Sequence, residues 1–578
     1  MRLFLTIIIS GIFLAACGGG GGGGGGDDDA DGNLPPPAVA IATVIATNDL
    51  GMHCMDREFS VFSILPPFNV VNCQVVKRDD NGRPYIADDA EVDVFYDAEG
   101  DAGGSINSYS FGKTNFWPKY GNDLFGANLS DGEGLTGLYM PGDDPQSRGA
   151  QPMAYSPQKE WFSAEGIPIT PTDDTFKANT YSLMRIIARD AINDETLGRL
   201  DVVLPVATET DCQNCHKTGE IAADDPNIVW ANDVDKEVES KINILKLHDA
   251  EQGTTLEASQ PVLCAQCHYS AALDLSGTGP DDIQDDNPNF SNVMHEYHGE
   301  LAENGNPVFP PAGPVEDTCY QCHPGNITQC QRGAMKTGGL DCNACHSDMP
   351  AVGGKFPLEP GGSIDGANDG NARRPWQDLP RCQSCHTGDA NTYLTGPNLE
   401  VADPNWPFRL RQAYENGDDS ASPLLASNKR FAEDTNTLYR FSKGHGEIMC
   451  EGCHGSTHAV WPNAAAGAND NVASEMLQGY MGTIIECSTC HQSGSLPLTT
   501  NGPHGLHNVN DARWYDDGHE DYYENNQSSC KACHGQNLTG TPLAKMPAAR
   551  TFRVEDKTVT YAKGDLVRCD RCHEMPDD

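Results

Sequence analysis

The chain has 578 residues, enough for two or more domains, yet only 38% are hydrophobic and 60 are glycine and 38 proline. That composition suits a loop-rich chain better than a dense helical or sheet protein. A formal net charge of −45 argues against nucleic acid as a partner, because phosphate binding needs a basic surface; it favours solubility and draws cationic partners and metal cations, calcium among them.

Residues 1–16 read as an export signal. Arg2 supplies a positive charge and Leu3–Leu14 a short apolar stretch, too short to span a bilayer comfortably. Leu14-Ala15-Ala16-Cys17 is similar to a bacterial lipobox, and that resemblance implies diacylation of Cys17 as the mature N-terminus. Gly18 is not the Asp that marks inner-membrane retention in enteric bacteria, so the outer membrane is favoured. No later stretch has the length of a membrane span, which leaves lipid as the expected attachment. Residues 17–37, with the glycine tract Gly18–Gly26, an aspartate run and Pro35-Pro36-Pro37, form a flexible tether.

From 38 to 207 the pattern predicts a β-sandwich-like domain. Ala38–Thr47, Val70–Val76, Glu91–Tyr96, Tyr181–Ala188 and Arg199–Val206 are β-branched or aromatic runs, the last two separated by a polar turn. The Gly-, Pro- and Asp-rich stretch from Gly100 to Pro171 leaves the topology open. From 208 to 578 apolar periodicity is poor, and short helices alternate with loops. Such a segment lacks the apolar surface for a good core of its own.

The 22 cysteines supply the explanation, since so many imply an oxidising compartment, metal sites or attached cofactors. Nine C-x-x-C-H motifs follow one another. They are Cys212-Cys215-His216, Cys264-Cys267-His268, Cys319-Cys322-His323, Cys342-Cys345-His346, Cys382-Cys385-His386, Cys450-Cys453-His454, Cys487-Cys490-His491, Cys530-Cys533-His534 and Cys569-Cys572-His573. Two thiols about one helical turn apart can bond the two vinyl groups of one porphyrin, and the adjacent His reaches the iron from the proximal side. Zinc sites use paired cysteines too, but do not demand a His after every pair. The motifs predict nine covalent c-type haems, which would themselves form the core, so the apo-chain should not fold alone.

Nine further histidines remain after the proximal ones: His53, His248, His295, His298, His445, His458, His504, His507 and His519. Their number equals that of the motifs, making them candidates for the distal iron position. His458 lies four residues after His454, and His295/His298 and His504/His507 lie three apart. Residues so spaced on a helix point the same way and cannot sit trans on one iron; they must serve different, neighbouring haems. The 14 methionines could ligate and raise potentials, but with enough His they read as packing residues. Cys54, Cys73 and Cys330 lie outside the motifs. Cys54 and Cys73 share the β-rich segment, which predicts a disulfide between them and leaves Cys330 over.

The segment from Lys443-Gly444-His445-Gly446 through Cys450, Cys453 and His454 to Gly455-Ser456-Thr457-His458 resembles outer-membrane multihaem cytochromes of metal-reducing bacteria. So do Gly502-Pro503-His504-Gly505-Leu506-His507, His519 ahead of Cys530-Cys533-His534, and the opening Asn48-Asp49-Leu50-Gly51-Met52-His53-Cys54. The resemblance covers most of residues 40–578. It implies bis-His haems, with His445, His458, His504, His507 and His519 as axial ligands, an electron-conduit role and a place at the cell surface. The partners implied are other cytochromes, an outer-membrane porin, and extracellular acceptors such as metal oxides, electrodes or other cells. The expected role is therefore an electron carrier and not an enzyme. The alternatives are a reductase of nitrogen or sulfur oxyanions, which would keep one iron open, and a subunit of a cytochrome filament, which a lipid-tethered N-terminus disfavours.

Overall fold

The computed structural model describes residues 41–575 except 275–278, 281–282, 311–313, 347–348, 354–438 and 555–556. The leader, Cys17, the tether and the fifth motif, Cys382-Cys385-His386, lie outside the described residues. Ile41–Asp578 form one compact unit. The change of pattern near residue 207 falls inside this unit.

The β-branched runs fold as strands. In chain order these are β1 (Thr43–Asn48), β2 (His53–Cys54), β3 (Phe62–Ser63), β4 (Asn69–Arg78), β5 (Pro84–Ile86), β6 (Val92–Glu99), β7 (Gln151–Pro152), β8 (Ala154–Ser156), β9 (Trp161–Ile167), β10 (Leu183–Asp190), β11 (Thr196–Val203) and β12 (Val206–Ala207). One sheet has the order β1-β4-β9-β8, with β5 also on β4, and the other β11-β10-β6-β7. The pairings in both are antiparallel. Val44, Val71, Val75 and Phe162 of the first sheet share one core with Val94, Tyr96, Ile186 and Leu200 of the second. Each such side chain contributes roughly 1.5–3 kcal/mol when fully buried. β9 lies inside the stretch that composition leaves open; its buried Trp161, Phe162 and Ile167 seat it against β4.

β4 also anchors segments that come much later in the chain. Its buried Gln74 and its exposed Arg78 are turned to specific partners, as is Thr43 of the adjoining β1. The amide of Gln74 donates to the Glu160 and Glu447 carbonyls, and its oxygen accepts from Met449 N at 2.8 Å, immediately before the sixth motif. Arg78 Nε donates to the Cys490 carbonyl at 2.8 Å, and Thr43 Oγ1 to the Thr489 carbonyl at 2.6 Å. The sixth and seventh motifs are thus fastened to the first sheet. Gly452 sits directly on Ile45, where any Cβ would collide with the Ile45 side chain.

Among the described residues four helices are longer, and three of them carry spare histidines: His248, His295 with His298, and His519. α1 (Lys236–Gln252) opens on Asp235, whose side chain accepts from Glu237 N, and closes on Gly253 in the left-handed region, as helix ends favour. α2 (Phe290–Glu300) is capped by Asn289 accepting from Asn292 N. α3 (Asn471–Gln478) puts Ala473 into the sheet core. α4 (His519–His534) bends at Asn526. Among the described residues no helix is long and apolar enough to cross a membrane.

Candidate functional site

Each described C-x-x-C-H motif is a single tight turn. The proximal histidine's N–H donates to the carbonyl of the first cysteine: His216 to Cys212 at 2.9 Å, His268 to Cys264 at 3.1 Å, His323 to Cys319 at 2.8 Å, His491 to Cys487 at 2.8 Å and His573 to Cys569 at 3.1 Å. The turn sets the histidine directly after its two cysteines.

A second imidazole stands across from each of these histidines. His216 faces His298 at 6.4 Å between ring centroids, His268 faces His248 at 6.5 Å and His323 faces His295 at 5.9 Å. His346 faces His458 at 6.3 Å, His454 faces His504 at 6.0 Å and His491 faces His445 at 6.0 Å. His534 faces His507 at 6.5 Å and His573 faces His519 at 5.6 Å. Every pair joins one motif histidine to one spare histidine, and none is used twice. Imidazole nitrogens bind first-row metals at roughly 2 Å, so two trans rings sharing one ion stand with centroids about 6–6.5 Å apart. The observed spacings fall at that value or slightly inside it.

The hydrogen bonds orient the rings. Backbone carbonyls only accept, so an imidazole nitrogen bonded to one carries the proton and leaves the other with a lone pair. Nδ1 of His268 bonds Pro288 O at 2.8 Å, His295 bonds Ser291 O at 2.9 Å, and His298 bonds Met294 O at 2.6 Å. Nδ1 of His458 bonds Leu50 O at 2.8 Å, His519 bonds Trp514 O at 2.7 Å and His573 bonds Glu574 O at 2.6 Å. In these rings Nε2 is left with the lone pair, turned by an outer carbonyl as metal-ligating histidines are. Burial, with the facing His298, holds the His216 pKa down at about 4; burial does the same for His458, and burial with His534 for His507. These imidazoles are neutral at physiological pH, the form that can ligate.

Among the described residues no group of three or more His, Cys, Asp or Glu could hold a bare metal ion. The histidines come in twos, each beside a cysteine pair. Two axial nitrogens and two thioether sulfurs are the donor set of a c-type haem, and the residues present fit that group.

His53 is placed differently. It is Nε2, not Nδ1, that bonds a carbonyl, Pro66 O at 3.2 Å, and the ring lies on Phe68 with centroids 3.8 Å apart. The structure brings it to no described motif histidine, and His386 lies outside the described residues.

The disulfide expected between Cys54 and Cys73 is not formed. Cys73 lies at the centre of β4, between Ala46 and Phe162, with its thiol on its neighbour's carbonyl, Gln74 O, at 3.6 Å. Cys54 pairs with Ala207 in the separate β2–β12 ladder. Cys54, Cys73 and Cys330 carry unbonded thiols. Burial raises the Cys54 pKa, and the nearby Cys330 and Glu209 raise it further. Cys330 is thus a cysteine within electrostatic reach of Cys54.

One link was hidden from the sequence. Arg332, fully buried, forms a two-pronged ion pair with Asp470, with both N–O distances 2.7 Å. Backbone bonds from Arg332 N to His458 O and from Ala334 N to Val460 O, at 2.8 and 2.7 Å, tie this pair to the segment that carries His458. Nothing marks one Arg and one Asp so far apart in the chain as partners. Compared with protein-family models, with curated proteins and with solved structures, the chain finds no match.

Proposed function

We propose that the chain is a multihaem c-type cytochrome whose work is to conduct electrons, with no substrate bound at any of the eight described sites. The observation that carries this reading is the one-to-one facing of His216, His268, His323, His346, His454, His491, His534 and His573 by a second histidine.

When bound, haem supplies a reversible one-electron iron couple and a conjugated edge through which electrons pass. The chain's own part is to hold the group and close it. Paired cysteines would fix it covalently, the motif and spare imidazoles would hold its iron, and the carbonyls at Nδ1 fix the ring orientation and would strengthen the Nε2 donor. Two imidazoles favour a lower potential than His/Met ligation. A reductase needs a motif with no second imidazole beside it, and no described motif lacks one.

The lipobox-like Cys17, the tether and the acidic surface support a lipid-anchored place at the outer membrane. Electrons would arrive there from other cytochromes, directly or through a porin, and leave to an extracellular acceptor. The exported protein should carry nine haem masses above the processed polypeptide, and its reduced spectrum should not shift under carbon monoxide beyond one haem in nine. Fewer than nine haems, or broad carbon monoxide binding with turnover of nitrite or a sulfur oxyanion, would contradict the reading.

A further inference from the structure

Electron flow depends on which sites adjoin, and the chain's own elements fix that. α2 gives His298 to the first motif and His295 to the third, one turn apart on the same helix. α1 gives His248 to the second motif, while Asn243 on the same helix donates to the His216 carbonyl at 2.8 Å. The third and fourth motifs touch through Cys319 Sγ and Asn343 Oδ1, 3.6 Å apart. His458, facing His346 of the fourth motif, follows His454 of the sixth by four residues, on the short turn Thr457–Ala459 that comes directly after that motif's helix. His504 serves the sixth motif and His507 the eighth. The ninth is pinned to the eighth by Cys569 N donating to Leu538 O at 3.2 Å, and α4 runs from His519 of the ninth pair to His534 of the eighth. The seventh leans on the sixth through Ile484 N and Cys453 O at 2.8 Å, and its distal His445 lies just ahead of Cys450.

We propose that the eight described sites form one branched relay: second, first, third, fourth and sixth in line, with the seventh as one arm of the sixth and the eighth and ninth as the other. The order rests on the reading of these sites as haem sites. The fourth site, His346 with His458, is the bridge between the two halves, and the sixth is the branch point. An electron that enters at the second site reaches the ninth through both.

A potential trap tests the order. In the full-length protein, Asp285→Cys places a thiol on an exposed residue beside Gln284, which reaches Ala265 of the second motif. A ruthenium(II) photosensitiser attached there gives one electron to a ferric site when excited, and a sacrificial amine reduces the resulting ruthenium(III). His519→Met marks the ninth site with a His/Met band, so arrival there is read by transient absorbance. In that background His458→Met should raise the fourth site's potential and slow arrival about tenfold for every ~59 mV of the rise. Unslowed arrival, with the second His/Met band present, overturns the order while leaving the haem reading intact. Failure of any His/Met band to form in either variant overturns the haem-ligand reading instead. If His458→Met does not load its haems, His504→Met at the sixth site is the second trap, with the same slowing expected. If neither loads, the haem order in a density map of the parent protein decides: any neighbour sequence other than second, first, third, fourth, sixth, eighth, ninth is contradictory.

Discussion

His519 and His573 point their Nε2 atoms at one another across 3.5 Å, while each Nδ1 is tied back to a carbonyl, Trp514 O and Glu574 O. The two rings are turned 29° from one another. His519 comes from the start of α4 and His573 from the last motif, so an iron between them would clasp the end of the chain to that helix. Replacing His519 with Met should leave the haem count unchanged, because Cys569 and Cys572 are untouched, and should raise the potential of one haem alone. Mass spectrometry and a spectroscopic redox titration check the two halves. A shift spread over many haems would mean that His519 acts elsewhere.

The Arg332–Asp470 pair is fully desolvated, with side-chain exposures of 0% and 2%. Removing one partner strands the other charge, at a cost of about 3–5 kcal/mol. Arg332→Met should therefore lower the midpoint of urea unfolding strongly, and Asp470→Asn less so because the amide oxygen still accepts. The loss should be felt first at the fourth site, since Arg332 N holds the carbonyl of His458. An unchanged midpoint would show that the pair is not formed in solution.

Glu451, inside the sixth motif, is buried at 2% exposure. Burial, with Asp49 adding to it, raises its pKa well above the ordinary carboxylate value. The folded form then holds a proton that the unfolded chain gives up above pH ~4.3, so this group makes stability fall as pH rises through the window between the two values. Glu451→Gln keeps an oxygen for the Thr457 N–H and hydroxyl, both 3.2 Å from Oε1, and carries no titrating proton. The variant should be more stable than the parent at neutral pH, by about 1.4 kcal/mol for each unit of the raised pKa, and the two should converge near pH 4. A parent and variant with parallel stability profiles would contradict this.

Cys54, Cys73 and Cys330 should all react with an alkylating agent once the oxidised holo-protein is denatured without reductant. In the native protein Cys73, at 0% exposure, should resist. Peptide mapping gives the count. Three labelled sites is the expected result, and a single one would reveal a disulfide between the other two.

What could be read from the sequence was whatever is local. C-x-x-C-H is one turn of chain, so spacing alone suffices to set the motif. Three- and four-residue His spacings likewise forbid a shared iron, and the structure sends His295 to His323 but His298 to His216. The partner in each pair depends on how distant segments dock, and no spacing encodes that. Cys54 and Cys73 lie close in sequence, but a strand's neighbours are chosen by the sheet: β4 has β1 and β9 beside it, while β2 belongs to another ladder. β9 lacks a strand-like run in sequence because Ser163, Glu165 and Gly166 break up its apolar residues, and its pairing with β4 slips by one residue at Gly166.

The account turns on two imidazoles per iron, and low-temperature EPR of the oxidised, full-length protein measures that most directly. Integrated against a haem standard, the signal should comprise low-spin ferric centres at no fewer than the eight described sites, with high-spin iron limited to at most one centre per chain, that of His386. High-spin iron amounting to two or more centres per chain would contradict the facing-histidine arrangement and return the protein to the class of open-site reductases.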